Sequence, residues 1–81
     1  MGHFVVTLEI VTDYECIFNI LGVAHTLEEA KAIFAQEIDN AREFAMDCDW
    51  EIDADNDTEF SAFQDGYYLQ SHINLYIREV D

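Results

Sequence analysis

Carboxylates occupy every second position from Asp47 to Glu59: Asp47, Asp49, Glu51, Asp53, Asp55, Asp57 and Glu59. Cys48, Trp50, Ile52, Ala54, Asn56 and Thr58 fill the positions between them. A period of two is the strand period, so an extended segment sets the acids on one face and Trp50 and Ile52 on the other. Alternate side chains of a strand stand roughly 6.5–7 Å apart. Phosphates of one DNA strand rise about 3.4 Å each, and winding stretches their separation toward the same range. Such a row of carboxylates can stand where a protein expects a row of phosphates. Asp39, Glu43 and Asp47 extend it at i, i+4 and i+8, one helix face at steps of about 6 Å. The same pattern also serves a solvated face that keeps the protein soluble and an edge strand unpaired.

Other chemistry finds less support in these residues. Asp53, Asp55, Asp57 and Glu59 resemble the start of a calcium-binding EF-hand loop, but Thr58 takes the glycine position and Gln64 takes that of the final bidentate acid. His3, His25, His72, Cys16 and Cys48 show no zinc-ligand spacing, so no metal or other cofactor is expected. Paired carboxylates do acid–base work only where a cleft sets their pKa values apart. Ser61 and Ser71 lack a nucleophile context, and no glycine-rich phosphate loop is present. The chain does not read as an enzyme.

Composition narrows the partners. The 81 residues suit a single compact domain spanning 1–81, and 51% hydrophobic residues argue for a folded core rather than disorder. Eighteen acids against three bases give a formal net charge of −15. That charge disfavours direct binding of nucleic acid or of an anionic membrane surface and favours a basic partner. Two cysteines 32 positions apart do not suggest a disulfide framework. No signal sequence or bilayer-length apolar run is visible, which makes the cytoplasm the expected compartment.

The elements that must position the acids are legible as patterns. Phe4 to Val11 alternates as a strand, Thr12-Asp13-Tyr14 reads as a turn, and Glu15 to Ala24 completes a hairpin. Regular alternation puts Cys16, Phe18, Ile20, Gly22 and Ala24 on one face of that second strand and Ile17, Asn19, Leu21 and Val23 on the other. Thr26-Leu27-Glu28-Glu29 is a capping box, opening a helix from Leu27 to about Met46. Its stripe runs through Leu27, Ala30, Phe34, Ile38, Ala41, Phe44 and Cys48. Strands follow around Trp50 to Ala54, at Phe60 to Phe63 and from Tyr67 to Ile77, with turns at Asp55-Asn56-Asp57 and Gln64-Asp65-Gly66.

The expected fold is α+β: ββα followed by two or three further strands, an antiparallel sheet of four to five strands with one helix packed on one face. The other face then has no cover. Ile17, Leu21, Val23, Tyr68 and Tyr76 are expected there and mark a candidate homodimer surface.

In size, charge and α+β make-up the chain resembles the small acidic inhibitors of phages and mobile elements, among them anti-CRISPR, anti-restriction and uracil-DNA glycosylase inhibitor proteins. The resemblance is compositional and rests on no motif. It implies a non-catalytic protein that occupies the basic groove of a nucleic-acid-binding host or defence protein. Asp39, Glu43, Asp47, Asp49, Glu51, Asp53, Asp55, Asp57 and Glu59 are the expected contact residues. The alternative is a homodimeric scaffold that uses the open sheet face, its acids serving solubility alone.

Overall fold

The computed structural model describes residues 2–65 and 70–80. Within them the fold is ββα followed by three strands: β1 (His3–Val11), β2 (Cys16–Ala24), α1 (Leu27–Asp47), β3 (Glu51–Asp55), β4 (Glu59–Asp65) and β5 (Gln70–Val80). All five strands join one antiparallel sheet in the order β2-β1-β5-β4-β3. The helix packs on one face, as the element order implies. Tyr67, Tyr68 and Leu69 lie outside the described residues, as does Gly66 of the expected turn.

Local chemistry fixes the ends of the elements. The Glu29 N–H donates to Thr26 Oγ1 (3.2 Å), and the Glu29 carboxylate accepts from the His25 N–H (3.3 Å). The expected cap therefore forms, with the return bond reaching the residue before the N-cap. At the other end Asp49 adopts φ 58°, a left-handed conformation more usual for glycine. Its N–H bonds Met46 O (3.1 Å) and the Trp50 N–H bonds Ala45 O (2.8 Å), closing the helix in a Schellman motif. Trp50 packs edge-on against Phe44 with ring centroids 5.2 Å apart, the apolar contact that accompanies this motif. In the first hairpin, Thr12 Oγ1 accepts from the Tyr14 and Glu15 N–H groups. Asn56 Oδ1 does the same for Thr58 and Glu59 between β3 and β4.

The core lies between helix and sheet. Ala30, Phe34, Ile38, Ala41 and Ala45 face Val6, Ala24, Phe60, Ala62, Ile73 and Leu75, all buried. The buried stripe shifts at its ends from the expected one: Ala45 is buried, while Leu27 and Cys48 are exposed. Cys48 falls at the helix C-cap, where the chain has already turned away from the core. Gly22 lets the helix approach β2 closely, since a Cβ there would stand 2.8 Å from Ile33 Cδ1.

A bulge in β2 decides which of its side chains reach the core. Val6 pairs with Gly22 but Thr7 with Ile20, leaving Leu21 as the extra residue. Partners directly opposite in a ladder share a face. Ala24 and Gly22 lie on the helix side, opposite Phe4 and Val6, and Leu21 packs against the core. Beyond the bulge the parity reverses. Ile17 and Asn19, opposite Ile10 and Leu8, join the helix side, while Cys16, Phe18 and Ile20 turn to the open face. The expected open-face positions of Ile17 and Leu21 are thus corrected, as is the expected core position of Cys16. Val23 and Tyr76 do lie on the open face, paired respectively with Val5 and Thr7.

Thr7 sits at the centre of that face between Ile20 and Tyr76. It is only 4% exposed, and its hydroxyl finds no hydrogen-bond partner among the described residues. A buried hydroxyl without a partner costs about 1–3 kcal/mol. Thr7→Val keeps the shape and strand preference while removing that oxygen. Urea denaturation should show the variant to be more stable than wild type by about 1 kcal/mol.

Candidate acidic interface

Two of the three cationic side chains hold the chain after the helix against the helix flank. Arg42 donates from Nε to both carboxylate oxygens of Asp55 (3.2 and 3.1 Å) and from Nη2 to Oδ1 (2.7 Å). Its Nη1 also reaches Asp39 (3.4 Å). The hydrogen bonds to Asp55, aided by the nearby negative charge, raise the Arg42 pKa above its ordinary value against the opposing effect of desolvation. Lys31 pairs with Asp57 at 3.3 Å. These contacts flank a shallow groove of about 320 Å³ between the helix and the β3–β4 turn, floored by Phe34, Ala35 and Ile38.

A second bulge redistributes the acids of β3. Ile52 pairs with Ala62 but Ala54 with Ser61, leaving Asp53 as the extra residue. Glu51 lies opposite Phe63 on the open face. Asp53 lines a shallow open-face depression with Ser61, Phe63, His72 and Asn74. Past the bulge the alternation reverses, so Asp55 turns to the helix side and meets Arg42. Asp57 sits in the β3–β4 turn, and Glu59 returns to the open face opposite Tyr76. The expected unbroken row on one face therefore does not form. An added residue in a pleated strand inverts every position after it.

The acids instead divide between the outer surface of the helix, the turn after it and β3. Asp39, Glu43 and Asp47 are exposed along one row of α1, Asp49 occupies the turn, and Glu51 and Asp53 continue onto the open face. Glu43, Asp47, Asp49, Glu51 and Asp53 have no ion-pair partner among the described residues. The negative end of the helix dipole falls beside Asp47 and Asp49, and the last turn holds no basic residue. Charge is concentrated here without local compensation.

The other contacts among titratable groups of the described residues are pairwise. On the open face His72 Nε2 lies 2.7 Å from Glu9 Oε1, joining β5 to β1. Arg78 stacks over the Tyr76 ring at 5.1 Å and hydrogen-bonds its hydroxyl. His3 and His25 stand side by side with ring centroids 5.2 Å apart. Among the described residues no group of three or more His, Cys, Asp or Glu is arranged to hold a metal ion. None of the described helices is long and apolar enough to cross a membrane. Both cysteines are free and exposed.

Comparison with known protein families, curated proteins and solved structures returns no match for this chain.

Asp49 carries two local penalties, a left-handed backbone on a non-glycine residue and a negative charge at the helix C-terminus. Asp49→Gly relieves both. It should stabilise the fold by about 1 kcal/mol. The gain should shrink with added NaCl as the charge component is screened. Equilibrium denaturation of both proteins at low and high salt checks this.

Proposed function

We propose that the protein is a non-catalytic acidic binding protein whose β3 edge enters the basic groove of a nucleic-acid-binding protein. The observation that carries the reading is the set Glu43, Asp47, Asp49, Glu51 and Asp53, all exposed and without an ion-pair partner among the described residues, from the outer surface of the helix to the open face. A fold with only three cations uses Arg42 and Lys31 to hold Asp55 and Asp57 and leaves this run bare. Carboxylates that turn around an edge present charge in two directions, as a groove walled by Lys and Arg on both sides requires. Opposite charge accelerates encounter with such a groove, and salt slows it. Desolvation is also milder where the receiving surface is already built for polyanions. The resemblance to phage and mobile-element inhibitors points the same way, toward host or defence proteins of the anti-CRISPR or anti-restriction target type.

Asp55 and Asp57 have a different part in this reading. Their side chains are engaged by Arg42 and Lys31, so they shape the edge and contribute less to contact. Glu59 stands on β4 beside Tyr76, one strand inward from β3.

The test replaces Asp49, Glu51 and Asp53 by Asn, Gln and Asn, which removes three charges at nearly constant shape. Immobilised wild type should retain nucleic-acid-binding proteins from a lysate at low salt. Duplex DNA or RNA added as competitor should release them. The triple variant should retain them at least about tenfold more weakly, mainly through slower association. Equal retention by the variant, or no release by either nucleic acid, would discard the reading.

A further inference from the structure

The two edges of the sheet differ sharply in charge. β3 carries Glu51, Asp53 and Asp55 within five residues. β2 carries no Asp, Glu, Lys or Arg in its nine residues, Cys16–Ala24, although the chain has 18 acids to place. Long edge strands are ordinarily protected by charges or proline. β2 has neither, and a bulge at Leu21 interrupts only its far half. Phe18, Ile20 and Val23 on this edge are 55%, 62% and 61% exposed, the main apolar surface of the open face.

The backbone is also available. Thr12 N–H bonds Glu15 O (2.8 Å) at the hairpin end, which sets the phase of the ladder. Because bonded pairs alternate in an antiparallel ladder, Ile17 and Asn19 direct their N–H and C=O groups to β1. Cys16, Phe18 and Ile20 direct theirs outward. The same three residues place their side chains on the open face, so one short segment offers both ladder bonds and apolar contact.

We propose that β2 pairs antiparallel with β2 of a second copy of this chain, joining two five-stranded sheets into one of ten. Charge selects this occupant. A basic partner finds no carboxylate on β2 to pair with, whereas a second copy brings a strand equally free of charge. The acidic edge lies four strand spacings away, about 19 Å. That exceeds two Debye lengths, each about 8 Å at physiological salt, so the two charged edges barely repel. A two-fold axis also sends the two Asp13–Glu15 turns to opposite ends of the interface. Phe18 and Ile20 of both copies then cover one another, and the acidic edges face outward at either end. Strand pairing of this length forms a small interface, which implies a reversible dimer in the micromolar range. This inference is independent of the basic-groove reading.

Sedimentation from micromolar to millimolar concentration tests it. The wild type should be a reversible dimer whose affinity changes little with NaCl at and above physiological salt, because the charged edges are already screened and the contacts themselves are uncharged. Ile20→Lys should be a folded monomer, since residue 20 is exposed in the single chain. Ile52→Lys, on the opposite edge, should still dimerise. Hydrogen exchange of the wild type should show the Cys16, Phe18 and Ile20 amides gaining protection as concentration rises. This last measurement decides the matter even if Ile20→Lys fails to fold. A wild type monomeric at millimolar concentration in high salt overturns the proposal. So does a dimer in which those amides stay unprotected. Dimerisation of the Asp49/Glu51/Asp53 triple variant separates this outcome from that of the groove reading, because the charge removal should leave the dimer intact.

Discussion

Everything in this fold follows from one helix covering one face of a five-stranded sheet. A helix is about 10–12 Å across, and four strand spacings measure about 19 Å. The buried stripe of Ala30, Phe34, Ile38, Ala41 and Ala45 therefore packs on β5, β2, β1 and part of β4 and leaves β3 largely uncovered. Three alanines in that stripe, with Gly22 opposite Ile33, bring the helix close enough to exclude water. Ile52 on β3 remains 45% exposed because the helix does not extend over it. Among the described residues no charge enters this core, so their acids are pushed to a flank, an edge or the open face.

With so few cations, the placement of each one matters. Arg42 and Lys31 both project from the helix toward the β3–β4 turn and fasten the strand that the helix leaves partly uncovered. Ion pairs at the surface are individually weak. Here they act where apolar burial is thinnest, and they relieve repulsion among crowded carboxylates. The acids not reached by them form the uncompensated edge. Stability of β3 and exposure of the acidic run are two results of the same arrangement.

The two bulges give the edges their opposite characters. The bulge at Asp53 turns Asp55 inward to Arg42 and leaves Glu51 and Asp53 facing outward. The bulge at Leu21 sends Leu21 to the core and brings Phe18 and Ile20 to the open face. A regular β2 would have buried its largest side chain, Phe18, and exposed Leu21. The irregular one places apolar surface on the uncharged edge, at the far side of the sheet from the acids.

Local sequence determined the elements themselves. Alternation in Phe4 to Val11 and Glu15 to Ala24, the Thr26–Glu29 cap, the three- and four-residue steps of the helix and the short runs after it specify ββα and two or three further strands without reference to distant residues. The side that each helix residue faces was likewise legible through its middle, from Ala30 to Ala41. What tertiary structure alone decided was strand parity. A bulge forms when two residues meet one across a ladder, and that match depends on the partner strand rather than on the residues that bulge. The faces of Ile17, Leu21 and Cys16, and the division of Asp47 to Glu59 between partnered and bare acids, were therefore not readable from alternation. The acidic character of the segment could be read at once, because charge is a property of composition. Which carboxylates remain free follows from where Arg42 and Lys31 arrive, and only the packed helix fixes that.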